Sequence, residues 1–369
     1  MKVVLAGGGT GGHVFPAVSI AEELKRRDPD LQLMYLGRSG SIEERIAGQR
    51  SIPFRTIQVE GLPRENVFKI TRALLKVSAG LVQSVAILSR FRPQAVVGTG
   101  GYASLPPVIA ASLLRIPSLI HEQNCVPGKA NRICSRFADI VTVHFERSRR
   151  YFPGKEALVV GNPIRTDFLP QRLETMDKSE AKRTLGLNQD KFTVFVLGGS
   201  RGAHALNVAV VEALEHLDQR RIQLICMTGT DDFRWVRDSC ERAGITAAVF
   251  PFIDDIVSAY FSADVAVSRA GASTLAELAA VAVPAILVPY PHATDRHQEL
   301  NARVLADAGA AMMLLNGDLS GAVLAEKISA FADDPKQLEV MRACIRNFSM
   351  PDAAERVVNL LFEHVFKEQ

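Results

Sequence analysis

Cysteine is scarce and scattered. The five residues, Cys125, Cys134, Cys226, Cys240 and Cys344, are odd in number and never spaced as CxxC. That argues against a disulfide framework and a structural zinc site, and it fits a reducing compartment. Neither sign of charge dominates: 43 basic side chains face 40 acidic ones, which is not the balance of a general nucleic-acid binder. Long apolar runs are missing too. The longest, Leu278 to Tyr290, is interrupted by Pro284 and Pro289 and falls short of the roughly 18 residues a membrane span needs. The apolar stretch at the N-terminus ends at Gly7, too early for the core of a signal peptide. No GxxxxGK[ST] occurs, which excludes a P-loop, and no DxD-like carboxylate pair stands where a metal would be expected.

What is present is alternation. Across 369 residues, 47% of them apolar, short β-branched runs are separated by longer helical stretches. Lys2–Ala6, Gln32–Leu36, Ala95–Gly98, Ser118–His121 and Ile140–Val143 read as strands. Helices are expected after Pro16, after Asn66 and after Ala103. The pattern restarts with strands at 193–197, 222–227, 247–250, 265–267 and 285–288. Continuous apolar strands alternating with helices imply βαβ units and buried parallel sheets. The expected fold is therefore α/β, with two Rossmann-like parallel-sheet domains facing across a cleft. The boundary is placed at Asn162, giving domains 1–162 and 163–350, with a helical tail at 351–369 packed back on the first.

Each half opens with a strand running into glycines: Gly7-Gly8-Gly9-Thr10-Gly11-Gly12-His13 in the first, Gly198-Gly199-Ser200-Arg201-Gly202-Ala203-His204 in the second. A third such loop is Gly98-Thr99-Gly100-Gly101. Glycines between strand and helix let backbone N–H groups approach an anion beside a helix N-terminus. Gly7, Gly9 and Gly12 satisfy GxGxxG, yet a nicotinamide enzyme wants an acid after the second strand, where this chain has Gly37-Arg38-Ser39. Arg38 leaves open only a 2′-phosphate reading. The segment Ser268-Arg269-Ala270-Gly271-Ala272-Ser273-Thr274-Leu275-Ala276-Glu277 reads as a strand-to-helix turn whose helix is capped by Ser273 and Thr274. Its amides suit a diphosphate, and Glu277, one turn on, suits a ribose diol, or simply the first-turn dipole. The polar Asp295-Arg296-His297-Gln298-Glu299 run has amides suited to sugar hydroxyls, or is a solvated helix start.

These residues together resemble the bacterial peptidoglycan N-acetylglucosaminyltransferases that convert lipid I to lipid II, glycosyltransferases of the two-domain GT-B fold. The resemblance spans nearly the whole chain. It is carried by GGGTGGHVFPA from Gly7, GTGGYASLP from Gly98, HEQNCVPGKANR from His121, GNPIR from Gly161, GGSRGA from Gly198, SRAGASTLAE from Ser268 and DRHQELNAR from Asp295. Two positions depart from the family pattern. Arg201 stands where Gln is frequent, and Ala282 where Gly is usual, at a cost of about 1 kcal/mol if the position has positive φ.

The resemblance implies UDP-N-acetylglucosamine as donor, lipid I as acceptor and inversion at the anomeric carbon, with no cofactor and no obligatory metal. It assigns uracil to the backbone at Ile253, the ribose to Glu277, and the diphosphate to Ser200 with the amides of Ala272, Ser273 and Thr274, followed by Leu275 and Ala276. Gln298 and Asn124 would read the amino sugar, Arg165 would close over the nucleotide, and Thr10, Gly11 and Gly12 would face the sugar-phosphate and acceptor. A 4-hydroxyl of a muramyl sugar is too weak an acid to attack unaided, so a base is needed. His13 is the first candidate, since imidazole titrates near neutrality, and Glu122 the second. A 2-epimerase acting on the same donor and an inactive binding scaffold are the competing readings.

A lipid-anchored acceptor places the enzyme at an anionic membrane surface, on the cytoplasmic face and peripheral. Within Arg64 to Arg92 a helical projection sets Ile70, Leu74, Val77, Leu81 and Leu88 on one stripe. Lys69, Arg72 and Lys76 lie on another face, with Phe68, Leu75, Ala79 and Val82 beside them. That strip suits either an anionic interface or a neighbouring helix.

Overall fold

The computed structural model describes residues 1–61, 67–198 and 203–366, apart from the side chains of 67–70, 74 and 366. The chain forms two compact units: Met1–Thr166 with Met350–Gln369, and Asp167–Ser349.

The first unit is built on seven parallel strands: β1 (Lys2–Ala6), β2 (Gln32–Gly37), β3 (Phe54–Thr56), β4 (Ala95–Gly98), β5 (Ser118–Glu122), β6 (Ile140–Val143) and β7 (Ala157–Val159), ordered β3-β2-β1-β4-β5-β6-β7. In the register, Val3 lies opposite Leu33 on one side and Ala95 on the other. Alternate residues of β1 feed two cores. Val3 and Leu5 join Val14, Ile20, Leu24 and, from the C-terminal helix, Val357, Val358 and Leu361. Val4 and Ala6 join Leu36, Leu88 and Ala110. Burial on both faces is why the strand reads as an unbroken apolar run. The helix Ala353–Leu361 packs on Gly11–Arg27, which brings the end of the chain into this unit.

The second unit has six parallel strands: β8 (Phe192–Leu197), β9 (Ile222–Met227), β10 (Ala247–Phe250), β11 (Val265–Ser268), β12 (Ala285–Leu287) and β13 (Ala311–Met313). Their order is β10-β9-β8-β11-β12-β13, and their core runs from Val194 and Val196 to Leu324 and Ile328.

Each sheet reverses its strand order once, between β1 and β4 and between β8 and β11. In open α/β sheets the carboxyl end of such a switch point is where ligands sit. The loops that follow these four strands are the four glycine-bearing segments singled out in the sequence.

Several boundaries differ from expectation. The first helix starts at Gly11 and carries Pro16 inside it, instead of starting after Pro16, because the glycine loop turns directly into it. β3, β7 and β13 were not expected; each is a three-residue edge strand, too short to show a periodicity. Residues 163–166 stay with the first unit, where Ile164 is buried and the Arg165 guanidinium lies 5.4 Å from the centre of the Phe15 ring.

Candidate active site

In the first unit the loops after β1 and β4 touch through their backbones. The Gly8 amide donates to the Gly100 carbonyl (3.1 Å). Gly101, at φ +74°, sits so close that a Cβ there would come within 2.2 Å of the Gly8 oxygen. Glycine at 101 is therefore required by the approach of two main chains. Thr99 Oγ1 ties the loops further by donating to the His13 carbonyl (2.6 Å), and the buried Tyr35 hydroxyl donates to the Gly7 carbonyl (2.7 Å).

His13 is held by this framework. Its Nδ1 lies 2.9 Å from the Gly8 carbonyl oxygen and 3.4 Å from Thr10 Oγ1. A carbonyl only accepts, so Nδ1 carries the proton and the basic lone pair belongs to Nε2. Thr10 is exposed and is the N-cap of Gly11–Arg27, its side chain making no cap hydrogen bond, while Gly11 is buried and Gly12 half-buried.

Glu122, at the end of β5, is buried. One carboxylate oxygen accepts from the Asn124 backbone N–H (2.8 Å) and Asn124 Nδ2 (3.2 Å); the other accepts from Gly128 N–H (3.2 Å) and Asn131 Nδ2 (2.9 Å). Burial raises its pKa and these donors pull it back. Both oxygens thus accept from the segment that follows β5, as far as Asn131 in the helix Lys129–Cys134, and Asn124 is oriented by Glu122. Nearby, the buried amide oxygens Gln123 Oε1 and Asn131 Oδ1 lack a protein donor. His121 and His144 are also buried here, bonded to Thr142 and Asn162 and to the Gln123 carbonyl respectively. Burial drives them down to about 3 and about 4.

In the second unit the helix after β11 runs Ala272–Val281 with Gly271 as N-cap. Ser273 and Thr274 therefore do not cap it: they lie in its first turn, before the first helical bond, Leu275 N–H to the Gly271 carbonyl (3.0 Å). The amides of Ala272, Ser273 and Thr274 open the helix, and the dipole adds about half a positive charge there. Leu275 and Ala276 are buried in the same turn. Glu277 is buried as well and accepts a hydrogen bond from the buried Tyr260 hydroxyl (3.0 Å). Ile253, in the loop that joins β10 to the helix Ile256–Ser262, has a buried side chain. Gln298 is the second residue of His297–Asp307, and its Oε1 accepts from the Tyr290 N–H (2.9 Å). Two non-glycine residues just before it, Asp295 and Arg296, both have φ +52°, backbone strain of the kind that concentrates at functional loops. Ser200 lies outside the described residues.

Tyr260 was invisible to sequence reasoning. It sits in a helix whose sequence, IVSAYFS, looks like ordinary core, and only its hydroxyl's contact with Glu277 marks it. Arg269 stood within a recognised motif without a role; it is buried and holds the loop after β12.

The helix Val67–Phe91 buries Ala73, Ser84 and Leu88 and exposes Leu75 (67%) and Val82 (70%). Within this chain, then, the second apolar strip is not covered at those positions by a neighbouring helix. Contrary to expectation, one stretch, Thr71–Phe91, is long and apolar enough to cross a membrane by length and composition. Its scattered Ser, Gln and Gly residues had hidden it from a search for uninterrupted runs. Two of its cations are already occupied: Lys76 and Arg72 both pair with Glu60, at 2.8 and 2.5 Å, and together they lower the Glu60 pKa. The side chains of Phe68 and Lys69 lie outside the described residues. Among the described residues no three His, Cys, Asp or Glu side chains cluster as metal ligands.

The descriptions of the glycosyltransferase family 28 N-terminal and C-terminal domains match residues 3–143 and 193–357. The chain belongs to glycosyltransferase family 28. It is a glycosyltransferase whose two parallel-sheet domains are those of the GT-B fold. Among similar family members is a protein of Desulforudis audaxviator (strain MP104C) named UDP-N-acetylglucosamine--N-acetylmuramyl-(pentapeptide) pyrophosphoryl-undecaprenol N-acetylglucosamine transferase, 39% identical, with 98% of each chain covered. The crystal structure of Acinetobacter baumannii MurG superposes with a TM-score of 0.77 at 30% identity, covering 98% of this chain and 99% of that one. A UDP-GlcNAc 2-epimerase from Neisseria meningitidis shares the fold, with a TM-score of 0.68 at 12% identity, 99% of this chain and 100% of that one being covered.

Proposed function

We propose that this transferase moves N-acetylglucosamine from UDP-N-acetylglucosamine to the 4-hydroxyl of the muramyl sugar of lipid I, with inversion, and so makes lipid II. The observation that carries the reading is the full-length likeness to proteins named for this transfer, in a chain whose glycine loops all follow strands at the two switch points.

The residues divide the work. On the second unit, the backbone at Ile253 takes uracil, Glu277 takes the ribose, and the amides of Ala272 to Thr274, with Ser200, hold the diphosphate. As the sugar–phosphate bond breaks, these fixed N–H dipoles stabilise the charge that develops on UDP. Gln298 and, from the first unit, Asn124 recognise the amino sugar, and Arg165 closes over the nucleotide. Thr10, Gly11 and Gly12 meet the sugar-phosphate and acceptor. His13 Nε2 takes the proton of the attacking 4-hydroxyl, and the Gly8 carbonyl stabilises the imidazolium that results. No cation is required in this scheme.

The transferase works as a peripheral protein on the cytoplasmic face of the membrane. Leu75 and Val82 enter the interface, and Arg72 and Lys76, with Lys69, meet anionic headgroups.

Purified enzyme given lipid I and radiolabelled UDP-N-acetylglucosamine should yield a labelled lipid product carrying the disaccharide, in the presence of a chelator. Product that is instead a free epimerised nucleotide sugar, or turnover abolished by the chelator, would overturn the reading.

A further inference from the structure

Gln298 can serve sugar recognition only if its amide is held one way round, and the structure contains a brace that does this. Arg269 follows β11 and is buried. Its Nη1 donates to the carbonyls of Val288 (3.1 Å) and Pro289 (3.3 Å) and to Asn316 Oδ1 (2.9 Å). Its guanidinium also lies 5.7 Å from the centre of the Tyr290 ring. The N–H of that same Pro289–Tyr290 peptide group donates to Gln298 Oε1 (2.9 Å). Three segments distant in sequence, after β11, after β12 and after β13, thereby converge on one side-chain amide.

We infer that Arg269 and Asn316 act as positioning residues for sugar recognition, a role that rests on the assignment of Gln298 to the sugar. They fix residues 288–290, and the Tyr290 N–H holds Gln298 Oε1 on its own side. The Nε2 amide group of Gln298 then faces away from Tyr290 as a donor, so the matching feature of the ligand is an acceptor oxygen of the amino sugar. A hydrogen bond aimed this way is sensitive to small displacements, which is why a brace of buried contacts is placed behind it.

The test compares UDP with UDP-N-acetylglucosamine by calorimetry on the full chain, because UDP lacks the sugar. Arg269→Met, Asn316→Ala, Gln298→Ala and Gln298→Glu are each measured, with melting curves to confirm folding. The ratio of the two dissociation constants isolates the sugar. Arg269→Met and Asn316→Ala should lower the sugar's advantage, Arg269→Met by about tenfold, with the UDP affinity within about twofold of wild type. Adding Gln298→Ala to Arg269→Met should cost little more than either change alone, since neighbours acting through one contact are not additive. Gln298→Glu keeps an acceptor for Tyr290 and loses the donor, so it should behave like Gln298→Ala. If Arg269→Met weakens UDP and UDP-sugar equally, Arg269 is a phosphate contact or a general stabiliser and the brace is overturned. If it fails to fold, Asn316→Ala, at a half-buried position outside the core, carries the same comparison. A ratio moved by Gln298→Ala but by neither brace variant overturns the brace alone. A ratio unmoved by Gln298→Ala overturns the assignment of Gln298 to the sugar, and the brace with it.

Discussion

The imidazole of His13 is pinned by the carbonyl of Gly8, Nδ1 to oxygen at 2.9 Å. That single contact chooses the tautomer, and it exists because the Gly8 peptide is itself held against Gly100. His13→Ala should lower kcat by about 10²–10⁴-fold, the usual worth of a general base, with the dissociation constant for UDP within about twofold of wild type. Single-turnover assays alongside UDP titration check this; unchanged turnover would remove His13 from the mechanism.

Glu60 pairs with Arg72 and Lys76, and in the proposed membrane contact it competes with anionic headgroups for them. Glu60→Gln should therefore strengthen flotation with vesicles containing anionic lipid, by several-fold at low salt, and leave neutral vesicles unaffected. Reversing the charges of Lys69, Arg72 and Lys76 together should abolish the anionic preference. If the triple reversal floats as wild type does, this helix is not the membrane contact.

Ala282 closes the helix Ala272–Val281 in the left-handed region, at φ +57° and ψ +44°. A Cβ there is strained where glycine is not. Ala282→Gly should raise stability by about 1 kcal/mol despite the extra flexibility of glycine in the unfolded chain. Urea denaturation gives the answer, and a fall in the midpoint would contradict it.

The buried pair His121 and His144 sets an acid limit. Both are neutral when folded, held at about 3 and about 4, and return to about 6.5 on unfolding. Between these values the unfolded state binds more protons, so stability falls as pH drops below about 6.5. From pH 7 to pH 5 the loss should be about 1–2 kcal/mol for each histidine. A denaturation midpoint that stays flat over this interval would show that the pair is not buried neutral.

Much of this protein could be read without its structure. The inner strands announced themselves because burial on both faces demands unbroken apolar runs, and β1, β4, β6 and β9 have the bounds expected of them, as does the edge strand β10. The glycine loops were equally legible, since main chains that approach closely tolerate little else, and so was the strain at Ala282. What folding alone decided are relations between residues far apart in the chain. Glu60 neutralises cations 12 and 16 positions away, Tyr260 meets Glu277 across 17, and Arg269 reaches Asn316 across 47. The three-residue edge strands and the four hydrogen bonds that Glu122 accepts from Asn124, Gly128 and Asn131 belong with these. Local periodicity records which side of an element is buried, but a hydrogen bond or ion pair between elements depends on how they come together. That is settled only when the sheets and helices have packed.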